Sequence, residues 1–212
     1  MSQPILITGG AGFIGSHLAE RLKAAGHTLT LIDNLSTGRR ANVAPLLDDR
    51  CRLIEADASE ALRDPALYRR ARAIYHLAAD VGVKRIVEKP AHMVANNVME
   101  TDAVLAAASA AAVPVLIASS SEVYGKGPDR PLHEEMDLAY GPTTASRWSY
   151  GLTKALNEHM ALRRAEAEGL GVVITRLFNT IGPRQVGHYG MVVPRFVTSG
   201  LTDQPIPVYG DG

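Results

Sequence analysis

Pro4-Ile5-Leu6-Ile7-Thr8-Gly9-Gly10-Ala11-Gly12-Phe13-Ile14-Gly15 is the stretch that decides the fold. Pro4 to Ile7 is a short apolar run of the kind that forms a buried parallel strand. Glycines follow at 9, 12 and 15, and Ile14, Leu18, Leu22 and Ala25 then recur at helical spacing. Strand, glycine turn and helix in that order are the context a phosphate-binding turn requires. Gly9 permits the tight turn, Gly12 lets backbone approach a pyrophosphate, and Gly15 lets the helix pack close to the strand. The N–H groups of the helix start, from Phe13 and Ile14 on, then face the anion. The spacing is GxxGxxG rather than GxGxxG, so the turn needs support from elsewhere in the chain.

A second strand, Thr28-Leu29-Thr30-Leu31-Ile32, supplies it by ending in Asp33, 18 residues after Gly15. An acidic residue at about 20 residues accepts a hydrogen bond from the adenosine ribose and repels a 2′-phosphate. The expected cofactor is therefore NAD rather than NADP. Arg39 and Arg40 are the only features nearby that favour NADP, and they read as a solvated loop.

The other informative segment is Tyr150-Gly151-Leu152-Thr153-Lys154. The pattern predicts a helix over 147–168, ending near Gly169 and Gly171, which puts Tyr150 and Lys154 on one face. A free phenol has a pKa of about 10, so roughly a thousandth is ionised at neutral pH. Making it a useful base takes a fall of about 3 units, or about 4 kcal/mol. One ammonium about 4 Å away at an effective dielectric of about 20 supplies that much, and a positive nicotinamide ring would add to it. Tyr and Lys on a helix usually only stack on a surface; behind the glycine turn they read as a catalytic pair.

Composition sets the frame. The chain has 212 residues, 46% hydrophobic and 21% charged, enough for a sizeable core in one domain or one and a fraction. Twenty-two basic and 22 acidic residues leave no net charge, so nothing points to nucleic acid or an acidic membrane surface. Cys51 is alone, which excludes a disulfide framework and fits a reducing cytoplasm. No signal peptide is expected ahead of the first strand. The most apolar stretch, Ala103 to Ala118, is interrupted by Pro114 and reads as helix then strand rather than a membrane span.

Beyond Asp33 the pattern keeps alternating. Strands are expected at Arg52–Ala56, Ala73–Leu77, Val113–Ala118 and Val172–Leu177, with helices between them, including Ala91–Ala112 behind Pro90. Such alternation means a doubly wound α/β fold, a parallel sheet covered on both faces. Residues 125–146, rich in Gly, Pro and charge, read as a loop closing over a site. After Gly182-Pro183-Arg184 a short helix is expected at Val192–Ser199 and a strand at Ile206–Tyr209, and little then remains for a second domain.

With these residues the chain resembles the extended short-chain dehydrogenase/reductase family, in its nucleotide-sugar epimerase, dehydratase and decarboxylase branch. The motifs occur in order: the glycine turn; Asp33 to Gly38; Asp57; His76-Leu77-Ala78-Ala79; Ser119-Ser120-Ser121-Glu122-Val123-Tyr124-Gly125; Tyr150 to Lys154; Arg176-Leu177-Phe178-Asn179; and Gly182-Pro183-Arg184-Gln185. The resemblance implies a Rossmann domain over 1–178 and the start of a nucleotide-sugar-binding region over 179–212. It implies that Asp33, Asn34, Ser36, Thr37 and Gly38 hold the ribose, and that Asp57 and Ala58 touch the adenine. Leu77, Ala78 and Ala79 would line the dinucleotide, and Ser120, Tyr150 and Lys154 would form the catalytic set. Asn179 would contact the sugar-nucleotide diphosphate, with Val193 and Arg195 by the nucleotide end. The helices around 91–112 and 147–168 would make a homodimer interface.

Glu122 narrows the branch. By the resemblance, 4-epimerases carry a small or apolar residue there, and 4,6-dehydratases place Asp just before the Glu, where this chain has Ser121. Ser-Glu-Val-Tyr-Gly, with Arg147-Trp148 ahead of Tyr150, is most similar to UDP-glucuronate decarboxylases. A UDP-sugar 4-epimerase is the alternative, and a catalytically inactive dinucleotide-binding fragment or sensor is a second. Glu100 stands where the family usually has Gly, which questions the helix contact there. The family also continues past Gly212 with a basic residue on the nucleotide-sugar, so this length is expected to fall short of full activity.

Seven histidines show no ligand spacing, and His133-Glu134-Glu135 is not HExxH, so no metal is expected. His76 reads as a packed core residue and Trp148 as packing. Lys84 and Arg85 could reach a substrate carboxylate or phosphate, or simply be solvated.

Overall fold

A computed structural model describes residues 3–80, 90–127, 131–187, 192–206 and 208. Six strands among them form one parallel sheet: β1 Ile5–Thr8, β2 Leu29–Ile32, β3 Cys51–Ile54, β4 Ala73–His76, β5 Val115–Ser120 and β6 Val172–Leu177. The helices are α1 Phe13–Ala24, α2 Ala58–Ala61, α3 Pro65–Tyr68, α4 Pro90–Ala111, α5 Ser149–Glu168 and α6 Val192–Leu201. The alternation read from the sequence is therefore observed, with most boundaries within two residues. The doubly wound α/β, Rossmann-type class holds.

Strand order is β3-β2-β1-β4-β5-β6. The chain winds outward from β1 through β2 to β3, then crosses back to β4 on the other side of β1. That reversal opens a crevice at the carboxyl ends of β1 and β4, where ligands bind in such sheets. Thr8 pairs in register with Ile32 on one side and His76 on the other, so all three strands end at this crevice.

Both faces of the sheet are buried, which explains why its central strands are continuous apolar runs rather than alternating ones. Ile5, Ile7, Leu29 and Leu31 pack with Ala19 and Val43 on the α1 side. Leu6, Ile32, Ile74 and Ile117 face the other way, against Val104, Ala107, Ala108 and Ala161 of α4 and α5. The many alanines of α4 let it lie close to the sheet, and Cys51 is buried in the α1-side core.

Differences from expectation lie at the edges. A 3-10 turn, Ser146–Trp148, precedes α5, so the regular helix starts at Ser149. Ile206 and Val208 are not in a strand; the rest of that expected strand, with Lys84 and Arg85, lies outside the described residues. No described helix is long and apolar enough to cross a membrane.

Candidate active site

The glycine turn is a backbone structure. Gly9 has φ +70°, and a side chain there would press on the Leu77–Ala78 backbone across the crevice. A Cβ on Gly15 would overlap the Gly9 carbonyl oxygen, so α1 could not sit this close with any other residue. Gly12 caps α1 without a side-chain hydrogen bond, and no acidic residue occupies the first turn. The start of α1 therefore keeps its N–H groups and its partial positive charge for an anion.

Asp33 organises this turn as well as facing it. Its carboxylate accepts the Ala11 N–H at 2.9 Å and the Leu35 N–H at 2.8 Å. Burial pushes its pKa up, while the N–H groups of Leu35, Ala11 and Gly12 pull it down. A Cβ on Gly38 would come within 2.7 Å of the Asp33 carboxylate, so glycine lets that loop close on Asp33. Asn34 donates to Asp57 at 2.6 Å and accepts the Ser36 N–H at 2.9 Å, fixing the next shelf of the crevice. Arg40 pairs with Glu55, which commits one of the two nearby arginines to a protein partner.

The facing wall is Leu77 to Ala79, and buried side chains missed by sequence reasoning pin it. Asn97 of α4 accepts the Asp80 N–H at 2.6 Å and donates to the Asp80 carbonyl at 3.0 Å. An Asn on the buried face of α4 was the available signal. His76 bonds Thr8 at 2.8 Å through Nδ1 and Thr101 at 3.1 Å through Nε2. Burial, with help from the Lys154 charge, lowers His76 to about 3, so it is the neutral core residue expected. Glu100, where the resemblance led us to expect Gly, has a defined role. It accepts the Ser59 N–H at 3.0 Å and the Ser59 hydroxyl, capping α2 from outside. Asp57, the formal N-cap, makes no cap bond and is left for Asn34 and the crevice.

The residues expected to be catalytic, Ser120, Glu122, Tyr150 and Lys154, line one cavity at the end of β5. Ser120 Oγ accepts the Glu122 N–H at 3.2 Å and starts the turn Ser121–Tyr124. Gly151 packs α5 so tightly on this turn that its Cβ would lie 2.5 Å from the Glu122 carbonyl. Residues 131–140 fold back over it: Tyr140 donates to the Val123 carbonyl at 2.6 Å, and Lys126 N–H to Ala139 at 2.5 Å. Trp148 is buried against Tyr140, as packing.

Tyr150 and Lys154 share the α5 face as expected, but their electrostatics correct the sequence reading. The Lys154 ammonium donates to the Ala118 carbonyl at 2.8 Å and lies 5.9 Å from the Tyr150 ring centre. Burial lowers Lys154 to about 8, partly opposed by Glu158. The Tyr150 phenol is pushed up, by burial first and the Glu122 charge second. The protein's own groups therefore do not make Tyr150 a ready base; the cavity dehydrates both members of the pair.

These parts enclose one cavity of about 1460 Å³, larger than the ~300–1,000 Å³ of a drug-sized site. Of the expected cofactor residues all but Gly38 line it, as do Ser120, Glu122, Asn179 and Val193. Arg195 is exposed on α6 and does not. Glycine cradle, open helix start and buried Asp33 carboxylate fit a dinucleotide without a 2′-phosphate. Among the described residues no cluster of His, Cys, Asp and Glu could hold a metal.

Residues 5–212 match the model of the NAD dependent epimerase/dehydratase family. The chain belongs to that family. NAD is the cofactor its description names, and the cradle agrees. The chain is 41% identical over its whole length to a UDP-N-acetyl-alpha-D-glucosaminuronate decarboxylase of Bacillus cytotoxicus, and 36% identical over 98% of its length to UDP-glucuronic acid decarboxylase 1 of Xenopus tropicalis. It spans 65% and 48% of those proteins' lengths. Among solved structures it is similar to a UDP-N-acetylglucosamine 4-epimerase from Methanobrevibacter ruminantium, at 31% identity and TM-score 0.88, covering all of this chain and 66% of that one. A dTDP-glucose 4,6-dehydratase from Streptomyces venezuelae, solved with NAD, matches at 34% identity and TM-score 0.84, over 99% and 65%.

Proposed function

We propose that this protein acts as a UDP-uronate decarboxylase, taking UDP-glucuronate through a 4-keto sugar. The observation that carries the reading is Glu122. Its residue lines the same cavity as Ser120, Tyr150 and Lys154, while Ser121 stands where a dehydratase would hold its acid. The family relatives named as uronate decarboxylases lend support.

NAD, when bound, supplies the reversible hydride acceptor for C4 and a positive ring beside Tyr150. Its positive ring would oppose what burial does to the phenol, and Tyr150 takes the proton of the C4 hydroxyl. Ser120 holds the same oxygen. Lys154, anchored on Ala118, keeps a positive charge beneath the phenolate. A ketone at C4 stands β to the C6 carboxylate, the arrangement that releases carbon dioxide. Glu122 positions the ring or handles the proton that C5 takes up as carbon dioxide leaves; hydride and the Tyr150 proton then return to C4, so the cofactor would be regenerated. Residues 1–178 serve the dinucleotide and 179–212 begin the sugar-nucleotide side, with Asn179 at the diphosphate and Val193 and Arg195 near the nucleotide. Lys84, outside the described residues, is a further contact for an anionic substrate group.

We further assign a homodimer through α4 and α5, supported by exposed Met99, Leu152, Leu156 and Leu162 on those helices. A cytoplasmic setting suits the buried thiol of Cys51. The deciding experiment is incubation with UDP-glucuronate and UDP-N-acetylglucosaminuronate, following carbon dioxide and sugar products. Interconversion of UDP-sugar 4-epimers without carbon dioxide would establish the second reading, a 4-epimerase, which the likeness to the Methanobrevibacter enzyme favours. Dinucleotide binding without any turnover would leave the sensor reading.

A further inference from the structure

Glu158 lies one helical turn beyond Lys154 on α5 and is 6% exposed. Its carboxylate accepts the Ser119 hydroxyl and two bonds from Arg176, Nε at 3.0 Å and Nη2 at 2.7 Å. Ser119 stands in β5 between Ala118, whose carbonyl receives Lys154, and Ser120. Arg176 is the register partner of Ser119 in β6. Its guanidinium also covers the Tyr124 ring at 4.7 Å and donates to the Glu134 carbonyl at 3.3 Å. One carboxylate thus joins α5, β5 and β6 directly behind the reacting groups.

An ion pair this buried gains little net stability, because desolvation offsets the attraction, and an apolar pair of equal volume would join the same elements. The charge has a second use, and Lys154 is the ionisable group beside it on the helix.

We propose that Glu158, clamped by Arg176, is a positioning residue of the active site: it sets the spacing of Ser120, Tyr150 and Lys154 and keeps Lys154 an ammonium ion. This goes beyond the decarboxylase reading, since any chemistry that Tyr150 starts at a sugar hydroxyl would need it. Burial works against the Lys154 charge, and Glu158 works for it. The remaining neighbours offer no substitute. His76 on β4 is neutral, Tyr150 on α5 is held protonated, and β5 presents only the Ala118 carbonyl. Glu122, in the turn after β5, acts on Tyr150 and Tyr140. Around Glu158 itself stand Arg176 and the phenol of Tyr140, and the Tyr124 phenol lies against Arg176.

The test is the pH profile of reduced-nicotinamide formation by the NAD-loaded protein with UDP-glucuronate, or with UDP-glucose if that is the sugar it oxidises. Glu158→Gln should lower the rate about tenfold or more and move the alkaline limb down by about one pH unit. Arg176→Gln leaves the Glu158 charge unneutralised and should move the same limb up. Opposite shifts are a charge effect that a merely structural role does not produce. Limbs that stay in place, or move the same way, overturn the proposal. If Glu158→Gln does not fold, Arg176→Gln decides alone, and anything but an upward shift overturns it. Nitrogen NMR of the lysine side chains should show the same directions for Lys154 without any turnover, so a protein inactive on every sugar still gives the answer. Shifts as expected with no carbon dioxide would sink the decarboxylase reading and leave this one standing.

Discussion

Around Gly9–Gly15 the cavity wall is backbone, whereas around Ala118–Glu122 it is made of side chains that titrate. The glycine end works through missing Cβ atoms and an uncapped helix start, and its buried carboxylate, Asp33, is held by the N–H groups of Leu35, Ala11 and Gly12. The β5–α5 end gathers Glu122, Tyr150, Lys154, Glu158 and Arg176 within a few residues of each other in space. A wall of backbone binds an anion at any ordinary pH. A wall of buried ionisable groups binds and also moves protons, because burial displaces each group from its solution value. On the proposed function one end holds and the other reacts, and substitutions should separate the two.

Tyr150→Phe should separate them most. It removes the base and keeps the ring, so turnover should fall by ~10³-fold or more while NAD affinity stays near wild type. Steady-state rates beside a fluorescence titration of NAD make the check; activity near wild type would remove Tyr150 from the reacting centre. Glu122→Ala should come next, with carbon dioxide release down by ~10²-fold. A variant that interconverts 4-epimers as fast as wild type would assign this end of the cavity to epimerisation instead.

Asp33→Ala acts at the holding end and should leave proton transfer alone. Losing a charged acceptor should weaken NAD by about tenfold or more and narrow the gap to NADP. Equal titrations of NAD by variant and wild type would take Asp33 out of the site. The last effect is on stability rather than turnover and belongs to the seam between the two ends, His76. Its pKa in the fold, about 3, lies below the 6.5 of a free histidine. The unfolded chain therefore binds the extra proton first, and stability is lost as pH falls from about 6.5 towards about 3. His76→Gln should flatten that loss by up to about 1.4 kcal/mol per pH unit. Urea melts across the acid range measure it, and parallel curves for both proteins would show that His76 does not titrate there.

The two ends also differed in how far they could be read. Gly9, Gly12, Gly15 and Asp33 lie close in sequence, and their spacing encodes the turn they form. Tyr150 and Lys154 were legible as a pair because helical spacing puts them on one face. Their chemistry was not: an ammonium aimed at the phenol was expected, and the helix instead buries it against Ala118. Asn97 and Glu158 had no local pattern to mark them beyond polarity on buried helix faces, and Arg176 was marked only by the motif it opens, Arg176-Leu177-Phe178-Asn179.

The sequence by itself determined the doubly wound sheet, the anion-binding turn and the phenol–ammonium pair, because each follows from the period of a strand or helix over a few residues. Only the tertiary structure decided which groups those residues meet. Lys154 reaches Ala118 across 36 positions, and Ser59 reaches Glu100 across 41. Glu158 meets Ser119 across 39. Such contacts depend on strand order, register and the depth at which a helix lies on the sheet. The same burial that brings those residues together sets their protonation, which is why local spacing located the pair and its environment determined what the pair can do.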